Sequence, residues 1–146
     1  MRATVSVIAA LALIGPTGAE DAVKKEMAQL EGEWSMVSGE ANGVSLPKDT
    51  VKSGKRVAKD GETTITFGGE VYFKAKFSID PAKKPKAIDY KMTEGPTKGK
   101  THLGIYEVDG DTVKFCFAAP GKDRPTDFTA KEGSQQTLSV WKRAKK

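Results

Sequence analysis

A chain of 146 residues with 38% hydrophobic residues, a net charge of +5 and one cysteine has the size of a single domain with a single core. One cysteine excludes an internal disulfide, and lysines and acids interspersed along the whole chain exclude the basic face that nucleic acid requires. The longest basic cluster, Lys142-Arg143 with Lys145-Lys146, is terminal and reads as a solvated tail.

The chain opens as a signal peptide would. Arg2 precedes an apolar run over residues 4–14, Gly15-Pro16 breaks it, and Thr17-Gly18-Ala19 offers small residues before Glu20-Asp21. The run is too short for a membrane span, which needs about 20 apolar residues. No cysteine follows it, so a lipoprotein anchor is not expected. The reading is a signal segment over 1–19 and an exported domain over 20–146, periplasmic or extracellular, with a net charge of +4 once Arg2 is gone.

Residues 20–30 carry Val23, Met27 and Leu30 at helical spacing, and Gly32 ends that helix. Beyond it the period switches to two, and no second helix is expected. The first strand covers 33–40, with Trp34 and Met36 on one face, and turns at Asn42-Gly43. Residues 44–52 read as a connection, since Leu46-Pro47 argues against a strand interior. A weak strand over 54–59 turns at Asp60-Gly61 into 62–67, where Thr63, Ile65 and Phe67 share a side. Gly68-Gly69 leads into the clearest alternation, with Val71, Phe73, Ala75, Phe77 and Ile79 on the core face.

A loop over 80–85 precedes a strand over 87–92, with Ile88, Tyr90 and Met92 alternating. After a Gly/Pro loop, strands over 100–108 and 112–117 flank Asp109-Gly110-Asp111, a strong hairpin signal. Residues 118–133 form the longest irregular stretch, within which 126–130 is expected to pair briefly. The last strand spans 136–143.

About eight alternating strands joined by tight turns must deal with two exposed edges, and closure removes both. The expected fold is all-β: an eight-stranded antiparallel up-and-down lipocalin-like barrel with a short N-terminal helix. An immunoglobulin-type sandwich is the rival; consecutive hairpins favour the barrel, because Greek keys need long crossovers.

Gly32-Glu33-Trp34, set between a short helix and the first strand, resembles the Gly-x-Trp signature of lipocalins. The resemblance implies that Trp34 plugs the closed end and that Arg143 or Lys142 of the last strand packs across its ring. Such a cation–π contact contributes about 0.5–2 kcal/mol. A longer set, Leu30-Glu-Gly-Glu-Trp-Ser35, Asp80-Pro-Ala-Lys-Lys-Pro-Lys-Ala-Ile-Asp89, Glu94-Gly-Pro-Thr-Lys-Gly-Lys100, Gly104-Ile-Tyr-Glu107 and Cys116-Phe-Ala-Ala-Pro-Gly-Lys-Asp-Arg-Pro125, is similar to the planctomycete-type lipocalin-like domain. That is a bacterial family of exported or multidomain proteins with no established catalytic residues. Lys59-Asp60-Gly61-Glu62 departs from it, being shorter and more polar than paired second and third strands would lead one to expect.

Candidate chemistry is sparse. His102 and Cys116 are single, and Glu107 and Asp111 form no ligand spacing with them, so no metal or cofactor is expected. A Cys116–His102 dyad is disfavoured, because alternation puts Cys116 on the face opposite Phe115 and Phe117, where a small inert hydrophobe is the default. Asp109 and Asp111 are turn residues, and no Gly-rich loop leads into a helix to cradle phosphate. The protein is not expected to be an enzyme.

The segment Pro120-Gly-Lys-Asp-Arg-Pro125 is the best surface candidate, read either as a ligand-capturing rim or as a packed structural loop. The lysines at 83, 84 and 86 read as solvated. The expected function is an exported binding module that holds a small apolar or amphipathic molecule, with Trp34, Phe73, Phe77, Tyr90, Phe115, Phe117 and Arg124 as ligand residues. The alternative is a barrel filled by its own side chains, acting through its surface as an inhibitor or as a partner of a cell-envelope protein. Neither reading involves nucleic acid or stable membrane insertion. A cavity of ~300 Å³ or more inside the barrel separates the two.

Overall fold

Turn chemistry places each strand beside the one before it. Asn42-Gly43, Asp60-Gly61 and Gly68-Gly69 all have positive φ at both residues, the backbone of the tight turns that match the right-handed twist of a hairpin. The computed structural model describes residues 18–144, so the expected signal segment lies outside the described residues except for its last two positions.

Helix α1 (Gly18–Leu30) leads into β1 (Gly32–Ala41), which is followed by β2 (Val44–Ser45), α2 (Lys48–Ser53), β3 (Gly54–Lys59), β4 (Glu62–Phe67) and β5 (Glu70–Asp80). The chain continues through β6 (Lys86–Glu94), β7 (Thr101–Asp109), β8 (Thr112–Ala118) and β9 (Gln136–Arg143). Apart from the two-residue β2, which pairs with the end of β1, the strands lie in chain order and β9 pairs back with β1. The result is a closed eight-stranded antiparallel barrel with a short helix on its N-terminal side.

Three details depart from the sequence expectation. The connection over 44–52 holds β2 and the six-residue α2, whose start is set by Pro47 at φ −57°, a value the proline ring imposes. A bulge opposite Ile65 and Thr66 makes Tyr72 the extra residue of β5. Val71 and Tyr72 are therefore about half exposed, while Phe73, Ala75, Phe77 and Ile79 keep to the core side. Residues 126–130 form no strand; Gly43 N–H reaches the Ala130 carbonyl instead. The register of β3 and β4 is regular, from Gly54 opposite Phe67 to Lys59 opposite Glu62.

The closed end is built on the C-terminus of α1. That helix has no basic residue in its last turn, yet its final carbonyls need donors and the dipole there favours positive charge. Tertiary partners supply both. Arg143 Nη2 and Nη1 donate to the carbonyls of Gln29 (2.9 Å) and Glu31 (3.1 Å). Trp34 Nε1 and Arg56 Nη1 both donate to the Leu30 carbonyl, each at 3.1 Å. Nearby, Glu26 accepts from Lys86 Nζ at 2.8 Å and from the Tyr106 hydroxyl at 3.0 Å. Burial, helped by the Glu26 carboxylate, pushes the Tyr106 phenol far up from its ordinary value.

One side of the barrel has a second layer. Ala87, Ile105 and Cys116 sit opposite one another on the outer face of β6, β7 and β8, and all are buried. The segment 119–135 folds back over them. Arg124 anchors it through the carbonyls of Ile88 (3.1 Å) and Gly104 (2.8 Å) and an ion pair with Asp89 at 2.8 Å. Thr129 adds its carbonyl, which accepts from Cys116 Sγ at 3.2 Å and from Gln136 Nε2 at 2.8 Å.

Candidate functional site

Alternation sends Met36 of β1, Ile65 and Phe67 of β4, Phe73 of β5, Tyr90 of β6, Phe115 and Phe117 of β8 and Trp141 of β9 into the barrel. These side chains do not fill the space. They enclose a cavity of about 600 Å³, within the range in which proteins hold small organic molecules. The cavity extends from the barrel centre toward the end formed by the β1–β2 turn, the β4–β5 turn, the 95–100 loop and the start of segment 119–135, the end opposite α1.

Tyr90 is the hub of its aromatic wall. Its ring centre lies 4.2 Å from that of Phe117, 6.1 Å from Phe73, 6.3 Å from Phe115 and 6.2 Å from Phe77. Phe117 reaches Tyr90 because the residue opposite it on β7 is Gly104. A Cβ there would fall 2.6 Å from Phe117 Cε1 and 2.8 Å from the Cys116 carbonyl oxygen. The glycine is required by close approach rather than by backbone conformation.

Of the seven residues expected to bind ligand, Phe73, Tyr90, Phe115 and Phe117 line the cavity together. Phe77 and Trp34 lie beneath it in the closed-end core, Phe77 against Tyr90 and Trp34 under the Arg143 guanidinium at 4.2 Å. Arg124 is on the outside of the wall, spent on backbone carbonyls and Asp89, and meets none of the others. Residues 120–125 thus belong to the outer layer.

Arg56 is the residue that sequence reasoning passed over. It is a fully buried arginine at the cavity floor, with 0% of its surface exposed. Its Nε donates to the Tyr90 hydroxyl at 3.4 Å, and the Phe115 ring centre lies 4.7 Å from its guanidinium carbon. Beyond the Nη1 bond to Leu30 it has no further partner: Nη2 is buried without a hydrogen bond. The available signal was the alternation Gly54, Arg56, Ala58 against Lys55, Val57, Lys59, which places Arg56 on the face of the small residues.

His102 also lines the cavity, near its mouth. Its Nδ1 lies 3.1 Å from the Ala118 carbonyl, which only accepts, so Nδ1 carries the hydrogen. In the neutral ring, Nε2, 2.9 Å from Thr97 Oγ1, accepts from that hydroxyl. Both ring nitrogens are occupied in holding the 95–100 loop to β8. Cys116 faces the opposite side of the wall, and burial raises its thiol above the ordinary value, so the two form no nucleophile–base pair. Among the described residues no three His, Cys, Asp or Glu side chains gather as metal ligands, and no helix is long and apolar enough to cross a membrane.

No protein-family model, curated protein or solved structure matches this chain.

Proposed function

We propose that this protein is an exported, non-enzymatic binding module of lipocalin-like type, similar to the planctomycete-type lipocalin-like domain, that holds a small apolar or amphipathic molecule in its barrel. The cavity of about 600 Å³ carries this reading. A wall of aromatic and aliphatic side chains stabilises an apolar guest by removing its surface from water at about 25 cal/mol per Å². The same volume argues against the filled-barrel alternative, which needs the inward side chains to close the space. The apolar run over 4–14 and the small residues before Glu20 support export.

Trp141 lines the cavity and Trp34 lies beneath it, so Trp141 is the natural reporter. Titration with the neutral fluorescent probe N-phenyl-1-naphthylamine is expected to saturate with micromolar affinity and to quench Trp141. A Trp141→Phe variant should keep the probe signal and lose the quenching. Absence of saturable binding to the folded wild-type protein sinks the reading. For export, sequencing the N-terminus of the purified secreted form is expected to begin at Glu20.

A further inference from the structure

A buried arginine is rarely left without a carboxylate, because removing its charge from water is costly unless every N–H finds a partner. Among the described residues Arg56 has no ion pair. One function is accounted for: Nη1 caps the Leu30 carbonyl, where the negative end of the α1 dipole offers partial compensation. That cap uses one arm of the fork. Nε leans on Tyr90, and the hydrogens of Nη2 have no acceptor. Because the Tyr90 hydroxyl oxygen accepts from Nε, its own hydrogen is left to donate. Two donor groups with capacity to spare therefore meet at the floor of a chamber whose walls are mostly apolar.

We propose that the ligand is an anionic amphiphile with a carboxylate head, held head-down with the carboxylate on Arg56 Nη2 and Tyr90 Oη and the apolar chain extending toward the mouth. This rests on the binding reading above and specifies its ligand class. The chemistry matches at both ends. A carboxylate offers the acceptors that Nη2 lacks and supplies the negative charge missing beside Arg56, since Glu40, the carboxylate of the lining, lies at the mouth end of β1. An alkyl chain suits the wall of Met36, Ile65, Phe73 and Phe117. The Phe115 ring lies across the guanidinium, so the head reaches Nη2 by turning that ring aside.

The test compares cis-parinaric acid with its methyl ester, two probes with the same chain and different head charge. Wild-type protein is expected to bind the acid at least about tenfold more tightly, a difference of about 1.4 kcal/mol. Arg56→Met should abolish that preference, the acid losing far more affinity than the ester. A second measurement needs no substitution. Dodecanoate labelled at its carboxyl carbon and bound to wild-type protein should stay ionised at least about one pH unit below the free acid. Equal affinity for acid and ester, or a carboxyl that titrates as in solution, overturns the proposal and leaves the binding reading intact. Binding of neither probe overturns both.

Discussion

Arg143 and Trp34 meet across the seam of the barrel: the guanidinium carbon is 4.2 Å from the indole centre, while the Nη atoms hold the carbonyls of Gln29 in α1 and of Glu31 just after it. One side chain of the last strand thus ties the first strand and the helix together. Lysine carries the same charge but lacks the planar fork. Arg143→Lys is expected to lose most of what Arg143→Ala loses, about 1–3 kcal/mol in urea unfolding. A lysine variant as stable as wild type would reduce Arg143 to a simple charge.

Gly104 and Phe117 make a second pair in which one residue exists for the other. Gly104→Ala puts a methyl into the Phe117 ring and the Cys116 carbonyl, so the ring must leave its place against Tyr90. A destabilisation of about 1–3 kcal/mol is expected, with weaker probe binding because the wall has shifted. Thermal unfolding and titration measure the two effects separately. Gly104→Ala combined with Phe117→Leu should recover part of the stability.

Tyr106 provides a pH signature. Its folded pKa is raised, so the native state keeps a proton that the unfolded chain releases above about pH 10. Unfolded molecules then bind fewer protons than native ones, and stability falls as pH rises from there, by at most about 1.4 kcal/mol per pH unit for this group. Below the unfolded value the contribution is fully present. Tyr106→Phe removes this part of the alkaline slope, and parallel pH curves for the two proteins would show that Tyr106 ionises freely in the fold.

Cys116 and Arg124 are linked through the outer layer. The thiol is buried under Thr129 and raised above its ordinary value, so it should react with a disulfide reagent far more slowly than free cysteine. Arg124→Ala cuts the anchors to Ile88, Gly104 and Asp89 and should speed that reaction at least about tenfold while leaving the barrel folded. The exposed half of the ion pair contributes little; the carbonyl bonds carry the anchoring. An unchanged rate means the segment is held elsewhere.

Strand positions were legible because they depend on period and turn residues, both of which are local. Asn42-Gly43 and Asp60-Gly61 turn where their backbone freedom says they should, and Phe73, Tyr90 and Phe115 point inward as alternation requires. The bulge at Tyr72 left no local trace, since an extra residue in one strand is defined only by its partner. The short α2 is below the length at which helical period can be read. Arg56 was hidden beside Lys55 in a strand that looks solvated, and its burial goes with the Leu30 carbonyl, 26 residues earlier in the chain. Arg124 read as a rim charge because nothing in its neighbourhood announces that the segment doubles back over β6 and β7.

The pairing of β1 with β9 also governs the order in which the protein comes into being. Its register joins residues about a hundred positions apart, such as Trp34 with Arg143 and Ala41 with Thr137, so the barrel cannot shut before the last strand is in place. Until then β1 and β8 present bare edges, the surfaces on which unfinished β-proteins aggregate. A chain truncated before Gln136 should therefore be insoluble rather than merely less stable.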